Sequence, residues 1–333
     1  MRLKTIAFAL LALLLGYTGF WFFIAGNIGA YLENLGPELE QNGIEFTYDD
    51  YEVSGFPYRL VVNLSNPRFT YKNGPLSGEM DSETIEAIIQ PWKLGHAILF
   101  PQNSTIQIRY GKEMPKEFFI KPQSFGLSFS DNGNEAYRLS LELKEVLLET
   151  NLQMDLPAEY ESINLHLRKI APGIVSNDGL FQPKLLDLAF SMTVGEGQSF
   201  NTEVSFRGTQ IPAVTRESLM AWRDNGGTLE IENATFLNEG RTVQANGSLT
   251  LDDQLRPLGP IGLQAQRATD VIALLRAGGY VSVGEAFLLT NAINALPMPE
   301  GSSLPVAVSL TIQDGVAAFG PLALFEVGPV IKK

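Results

Sequence analysis

From Ile44 onward the chain alternates. The stretch "IEFTYDDYEV" keeps Ile44, Phe46 and Tyr48 in phase, and "YRLVVNLSNPRFTY" sets Tyr58, Leu60, Val62 and Leu64 against Arg59, Val61, Asn63 and Ser65. "STIQIRY" repeats the pattern through Ile106 and Ile108, and "AYRLSLELKEVLLE" through Tyr137, Leu139, Leu141 and Leu143. "SINLHLRK", "FNTEVSFRG", "GTLEIENATF", "RTVQANGSLTLD", "GPIGLQAQ" and "LPVAVSLTIQDG" continue it. Period two is the signature of a strand with one buried face, as in an antiparallel sheet. Turn signals at Asn73-Gly74, Asn132-Gly133, Asn225-Gly226-Gly227 and Asp314-Gly315 separate the strands. About a dozen strands are too many for a flat open sheet. The expected fold is mostly β (α+β): a long, curved antiparallel β-sheet or half-open barrel with a few capping helices and one N-terminal transmembrane helix.

Helical periodicity is rarer. "VTRESLMAWRDNGG" offers Thr215 as N-cap, Glu217 in the first turn and Gly226-Gly227 as a stop. "ATDVIALLRAGGY" places Val271, Leu274 and Leu275 on one face and ends at Gly278-Gly279, and "VGEAFLLTNAINAL" is amphipathic through Phe287, Leu288 and Ile293. At the N-terminus, Arg2 and Lys4 precede a stretch from Thr5 to Leu32 without a charge. Ile6 to Ala25 has the length of about 20 residues that crosses a hydrocarbon core. The anchor residues are Ile6, Leu10, Leu14, Trp21 and Phe22, with Tyr17, Trp21, Phe22 and Phe23 suited to an interface. Small-x-small cleavage sites are poor, since Phe23 precedes Ala25 and Ile28 precedes Ala30. The reading is an uncleaved signal anchor with the cations cytoplasmic and the body translocated, and a cleaved signal peptide is the alternative. A short amphipathic stretch, Ile28 to Asn42, follows it. The expected organisation is an anchor at 1–30 and a periplasmic β-rich domain at 31–333, divisible into halves 31–210 and 211–333.

Between anchor and sheet lies the corner "GFPY". Pro57 has no N–H to donate and fits only a strand start or edge. Gly55 permits a sharp bend and Phe56 can bury at it, so the corner turns the chain into the long sheet.

Charge and composition remove several functions. After Arg2 and Lys4, 22 basic residues face 37 acidic ones, so the body carries −15. It has no basic excess for nucleic acid. Cysteine is absent, which excludes disulfides, thiolate metal sites and cysteine nucleophiles.

"YEVSGFPYRLVVNLSNPRF" followed by "IIQPWKLGHAILFP" resembles the start of a bacterial envelope family, domain of unknown function 2125. "TRESLMAWRDNGGTLEIENATF", "GSLTLDDQLRPLGPIGLQAQRATDVIALLRAGG" and "DGVAAFGPLAL" follow in that family's order, so the resemblance spans nearly the whole chain. After Gly320-Pro321 the ending "FEVGPVIKK" departs from it. The C-terminal block also looks like AsmA-type proteins, which implies an inner-membrane anchor, a curved sheet and a role in lipid transport or outer-membrane assembly. The family implies no catalytic residues.

No local motif supplies a chemistry. His96 and His166 stand 70 residues apart without cysteine, a poor metal set. "GEGQSF" with Gly195 and Gly197 lacks the third glycine of a dinucleotide loop and reads as a hairpin turn. Asp49-Asp50 and Asp252-Asp253 are neighbours, which point to opposite faces in a strand and make no dyad. Trp92 and Trp222 read as core aromatics, with lipid contact as the other possibility. Gly55, Phe56, Pro57, Trp92, Pro101, Trp222, Gly226, Gly227, Gly315, Gly320 and Pro321 are structural positions. No catalytic, cofactor or metal residue is expected. The expected function is a membrane-anchored periplasmic protein, not an enzyme, that binds lipid or an apolar molecule on its sheet. The alternative is an interaction module that recruits envelope proteins by sheet-edge or helix contacts. A glycan or lipid hydrolase is the third reading, and it requires two close carboxylates.

Overall fold

The computed structural model describes residues 2–73, 76–111, 115–152, 157–171, 182–195, 197–213, 215–277, 280–294 and 306–331. The turn glycine Gly74 and the helix stop Gly278-Gly279 lie outside the described residues. The chain is mostly β and antiparallel, with few helices and one long apolar helix at the N-terminus. It divides into two compact units, Met1–Asn132 with Arg138–Ile163, and Gly133–Tyr137 with Asn164–Lys333.

The first unit begins with α1, Arg2–Glu40. The amphipathic stretch expected at Ile28 to Asn42 is not a separate element, because the helix runs on without interruption to Glu40. Asn27 and Asn34 each return a side-chain N–H to the carbonyl four residues earlier, at 2.6 and 2.7 Å, and Pro37 falls only in the last turn. Leu3 to Gly16 are exposed all round. From Tyr17 a stripe of covered positions appears at helical spacing: Tyr17, Trp21, Ile24, Ile28, Leu32 and Leu35.

What covers that stripe is a pair of β layers. β1 (Ile44–Thr47), β4 (Arg68–Asn73), β5 (Leu76–Asp81) and β8 (Thr105–Tyr110) form one ladder. β2 (Asp50–Ser54), β3 (Leu60–Ser65), β6 (Thr84–Gln90) and β7 (Lys93–Gln102) form the other. The 18-residue β9 (Lys116–Gly133) pairs with β8 through Lys116–Ile120 and with β7 through Leu127–Ser130, so it joins the two. Val62, Leu64 and Ile85 form the buried centre, and Ile28 and Leu32 of α1 pack on it with Phe46, Phe69 and Met80. Phe46 and Phe69 are register partners with rings stacked at 4.6 Å.

β10 (Ala136–Thr150) pairs with β9. Their turn is Asn134-Glu135, both residues at positive φ, and not the expected Asn132-Gly133. Glu145 sits at φ +48, and the covered side of β10 passes there from Leu143 to Val146. β11 (Glu159–Lys169) follows.

The second unit is a consecutive antiparallel ladder: β12 (Lys184–Thr193), β13 (Gln198–Arg207), β14 (Thr228–Asn238), β15 (Arg241–Leu251), β16 (Pro257–Ala265), β17 (Val306–Gln313), β18 (Val316–Phe319) and β19 (Leu322–Glu326). Between strands sit α2 (Arg216–Asp224), α3 (Ala268–Ala277) and α4 (Val283–Asn294). Thr215 caps α2 by accepting from the Ser218 N–H, as the sequence predicted. Asp314-Gly315 and Gly320-Pro321 make two-residue hairpin turns, and Gly195 and Gly197 flank the β12–β13 turn. α4 does not turn its predicted face inward. Phe287 and Leu288 are exposed and Leu289 is buried, because three apolar residues in a row leave the inward face undetermined by periodicity, and the side chain of Ile293 lies outside the described residues.

Candidate functional site

Register shows which residues of the second unit share a face. Leu188, Phe190 and Met192 pair with Val204, Thr202 and Phe200. Those continue to Ile231, Ala234 and Phe236, and then to Gly247, Ala245 and Val243. The same face runs on through Leu263 and Val308. The result is a continuous apolar face, but its cover is uneven. Under α3 and α4 it is core: Val243, Leu263, Val308 and Leu310 pack with Val271, Ile272, Val281 and Leu289. Under α2 another cluster closes around Leu219, Trp222, Leu251 and Leu255. Between them Leu188, Phe190, Met192, Phe200, Val204, Ile231 and Phe236 are only half-buried.

At the α3 end of that strip is a recess of about 190 Å³ lined by Phe236, Asn238, Arg241, Val243, Asp270, Ala273 and Leu274. Asn238 Oδ1 is buried there without a hydrogen-bond partner. Asp270 is held by Arg267 at 3.0 and 3.2 Å, while Arg241 makes no ion pair among the described residues. An unpaired buried acceptor is costly and marks a place where a donor is missing. The recess is small for a whole ligand but large enough for a polar head.

Trp222 builds the α2 end of the strip. Its indole N–H donates to the Arg207 carbonyl at 2.9 Å, and the ring lies so close to Gly227 that a Cβ there would overlap it. Gly226, at φ +75, completes the turn after the helix. The divergent C-terminal ending also has its place here. Ile331 packs on this cluster, and the Val330 N–H donates to the Leu255 carbonyl at 2.9 Å.

The opposite face carries the most concentrated polar group. Ser205, 2% exposed, shares its hydroxyl between Asp187 Oδ1 at 2.8 Å and Glu232 Oε1 at 2.6 Å. Arg168 bonds Asp187, and Lys184 bonds Glu232. Burial pushes Asp187 up, but the bonds from Arg168 and Ser205 and the charges of Arg168 and Lys184 outweigh it and hold the carboxyl below its ordinary value. Bonds from Lys184 and Ser205 lower Glu232 against its burial and its neighbour Asp187. Glycoside hydrolysis needs one carboxyl raised enough to donate a proton. Both members of this pair are held as anions and tie three strands together.

In the first unit the "GFPY" corner has a partner that the sequence did not reveal: the helix. The Tyr17 hydroxyl donates to the Pro57 carbonyl, and the Trp21 indole to the Arg59 carbonyl at 3.1 Å. Phe56 sits edge-on to Trp21 at 5.4 Å and stacks on Phe22 at 5.6 Å, with a cis bond to Pro57. Gly55, at φ +99, leaves room for the Arg59 carbonyl, which a Cβ would approach to 2.7 Å. Trp21 is therefore both an anchor residue and buried against the body, while Ile6, Leu10, Leu14 and Phe22 are exposed. Trp92 departs from its expected core role. It tops the β6–β7 turn at 62% exposure, beside the fully buried Pro91, while Pro101 is buried within β7.

The remaining polar positions have local roles. Asp252 accepts from the backbone N–H groups of Gln254 and Arg256 at 2.8 and 2.9 Å and closes the β15–β16 turn. Asp49 accepts from Asn66 at 2.8 Å. His96 Nε2 lies 3.5 Å from Ser128 Oγ, and His166 is exposed on β11. Among the described residues no group of three metal-ligating side chains converges.

A helix long and apolar enough to cross a membrane, joined to an antiparallel body with a partly uncovered apolar face, defines the class of the molecule. The chain belongs to the family described as "Uncharacterized protein conserved in bacteria (DUF2125)", whose model matches residues 21–327. No curated protein and no solved structure matches it.

Proposed function

We propose that this is a membrane-anchored, non-enzymatic protein of the bacterial envelope whose body faces the periplasm and binds an amphiphile on its second unit. The apolar strip between α2 and α3 takes the chain of the ligand, and the recess takes a head that presents an anionic oxygen to Arg241 and an N–H or O–H donor to Asn238 Oδ1. The observation that carries this reading is the uneven cover of one apolar face: Val243 and Leu263 are buried under α3 and α4, while Phe190, Phe200 and Phe236 are not. A soluble surface does not ordinarily leave such a continuous apolar strip open. The inner-membrane location with a cytoplasmic N-terminus follows from Arg2 and Lys4 ahead of an uncharged helix. Lipid handling on a sheet also fits the AsmA-type resemblance of the C-terminal block.

The test is quantitative lipid mass spectrometry on the full chain and two variants, Phe200→Asp and Arg241→Glu, purified in parallel. The wild type is expected to retain one class of anionic lipid at fixed stoichiometry, and both variants to lose it while keeping their circular dichroism. Equal lipid content in all three preparations overturns the reading.

The second reading, an interaction module, is favoured by α4, which presents Val283, Phe287 and Leu288 to solvent. Capture of a defined envelope protein, lost with Phe287→Glu, supports it.

A further inference from the structure

We infer that the first unit has a second membrane contact: the "GFPY" corner and the Trp92 turn sit in the interface of the leaflet on the body's side, beside α1. This rests on α1 being anchored in a bilayer and goes beyond it. The first observation is a length. The part of α1 clear of the body, Leu3 to Gly16, spans about 21 Å at the helical rise of 1.5 Å per residue. A hydrocarbon core is about 30 Å thick. The missing 9 Å or so is the stretch from Tyr17 to Phe22, and that is where the corner is fastened, through Pro57, Arg59 and Phe56. A bilayer deep enough to cover the uncharged helix therefore reaches the corner.

The second observation is what the corner presents. Register places it at one end of the sheet. Leu60 pairs with Ile89 and Gln90 with Lys93, so residues 56–59 and the turn at Pro91-Trp92 lie at the same end of β3, β6 and β7. Tyr58 is 78% exposed there, Trp92 62%, and Phe56 and Leu94 are exposed as well. Tyrosine and tryptophan are the residues that suit a bilayer interface, with an apolar ring and one polar atom.

The third observation is charge. Residues 54–59 and 90–95 contain Arg59 and Lys93 and no acid, in a body of net −15. Of the acids around them, Asp49, Asp50, Asp81 and Glu83 lie at the other end, Glu52 and Glu86 lie mid-strand, and Asp131 of β9 stands beside Gly95. Arg59 and Lys93 suit anionic headgroups, and the acidic end points away from them.

The absence of cysteine makes the test direct. The full chain is prepared with one cysteine at a time, as Tyr58→Cys, Trp92→Cys, Gln102→Cys or Phe8→Cys, and labelled with the environment-sensitive fluorophore NBD. It is reconstituted in vesicles of phosphatidylethanolamine and phosphatidylglycerol carrying nitroxide lipids, either shallow or deep on the acyl chain. All four positions are exposed, so the labels do not disturb a core. The expected result is blue-shifted emission at 58 and 92, with shallow-nitroxide quenching several-fold above that at 102, and deep quenching at 8. If position 8 is quenched while 58 and 92 behave like 102, the anchor stands and the interfacial contact is overturned, with the bilayer thinning around a short helix instead. If position 8 also escapes quenching, the anchor fails and this inference fails with it.

Discussion

The two units cover an apolar sheet face with helices in different ways. In the first unit a single helix, α1, lies along the core through Ile28 and Leu32 and then leaves, continuing bare from Gly16 back to Leu3. In the second unit α2, α3 and α4 each cover part of one face and stay, and the strip between α2 and α3 is left half-open. The helix that leaves gives the first unit an apolar span long enough to cross a membrane. Helices that stop short leave the second unit a half-open apolar strip. The same alternating strands serve both ends.

The most severe test of this contrast is a core deletion under the second unit's helices. Leu263→Ala is expected to cost about 2–5 kcal/mol, as truncation of a buried leucine does. It should be read as lost hydrogen-exchange protection in β15–β17. Gly55→Ala comes next, in the first unit. It adds a Cβ against the Arg59 carbonyl at a positive φ, for roughly 2–4 kcal/mol. Gly133→Ala has the positive φ but open space, and should cost only about 1 kcal/mol when both glycine variants are compared by denaturant titration. If the two match, the close approach of Gly55 to the Arg59 carbonyl adds nothing. Phe200→Ala sharpens the contrast within the second unit. On a strip already half in water it should cost about 1 kcal/mol. A loss equal to that of Leu263→Ala means the strip is core and the binding surface does not exist.

The smallest effect is that of acid. In the second unit Asp187, Glu232 and Asp252 have folded-state values below their ordinary ones. For Asp252, burial works upward and is outweighed by bonds from the backbone and side chain of Arg256 and the backbone of Gln254. A depressed carboxyl contributes stability that is present above its unfolded value of about 4 and is lost as pH falls through the folded value. Among the described residues of the first unit the resolved shifts are upward. Arg68 is raised by its hydrogen bond and attraction to Asp81, and Tyr160 by burial. Both titrate far above the acid range. Acid should therefore loosen the second unit before the first, and Asp187→Asn should flatten that dependence in a pH series of urea midpoints. Simultaneous loss in both units contradicts it.

Much of this molecule was legible in its sequence. The long apolar helix, the antiparallel strands, α2 with its Thr215 cap and the buried Trp222 all follow from periodicity and capping chemistry. What was not legible has physical reasons. Alternation marks a face as apolar, but a groove and a core ask for the same pattern, so Phe200 and Leu263 look alike until the helices are placed. The hairpin turn at Glu239-Gly240 is hard to read from sequence because glutamate rarely takes positive φ, although the glycine after it is a signal. Trp92 was assigned to the core because tryptophan is usually buried. Its neighbour Lys93, in a turn after Pro91, was the available sign that it faces out. The link between Tyr17, Trp21 and the corner is a contact between residues nearly forty positions apart, and one sequence carries no trace of such a pairing.

One further consequence follows from α1 being a single helix bonded to the body at Tyr17 and Trp21, with β1 only a few residues beyond its end. There is no swivel. With α1 in a bilayer, the first unit has a set height above the lipid and keeps one end turned toward it, and its remaining freedoms are lateral drift and spin about the membrane normal. A partner that is itself held in the membrane would meet that end by a search over area and not volume, where crowding of the membrane surface sets the encounter rate more than concentration in the surrounding fluid.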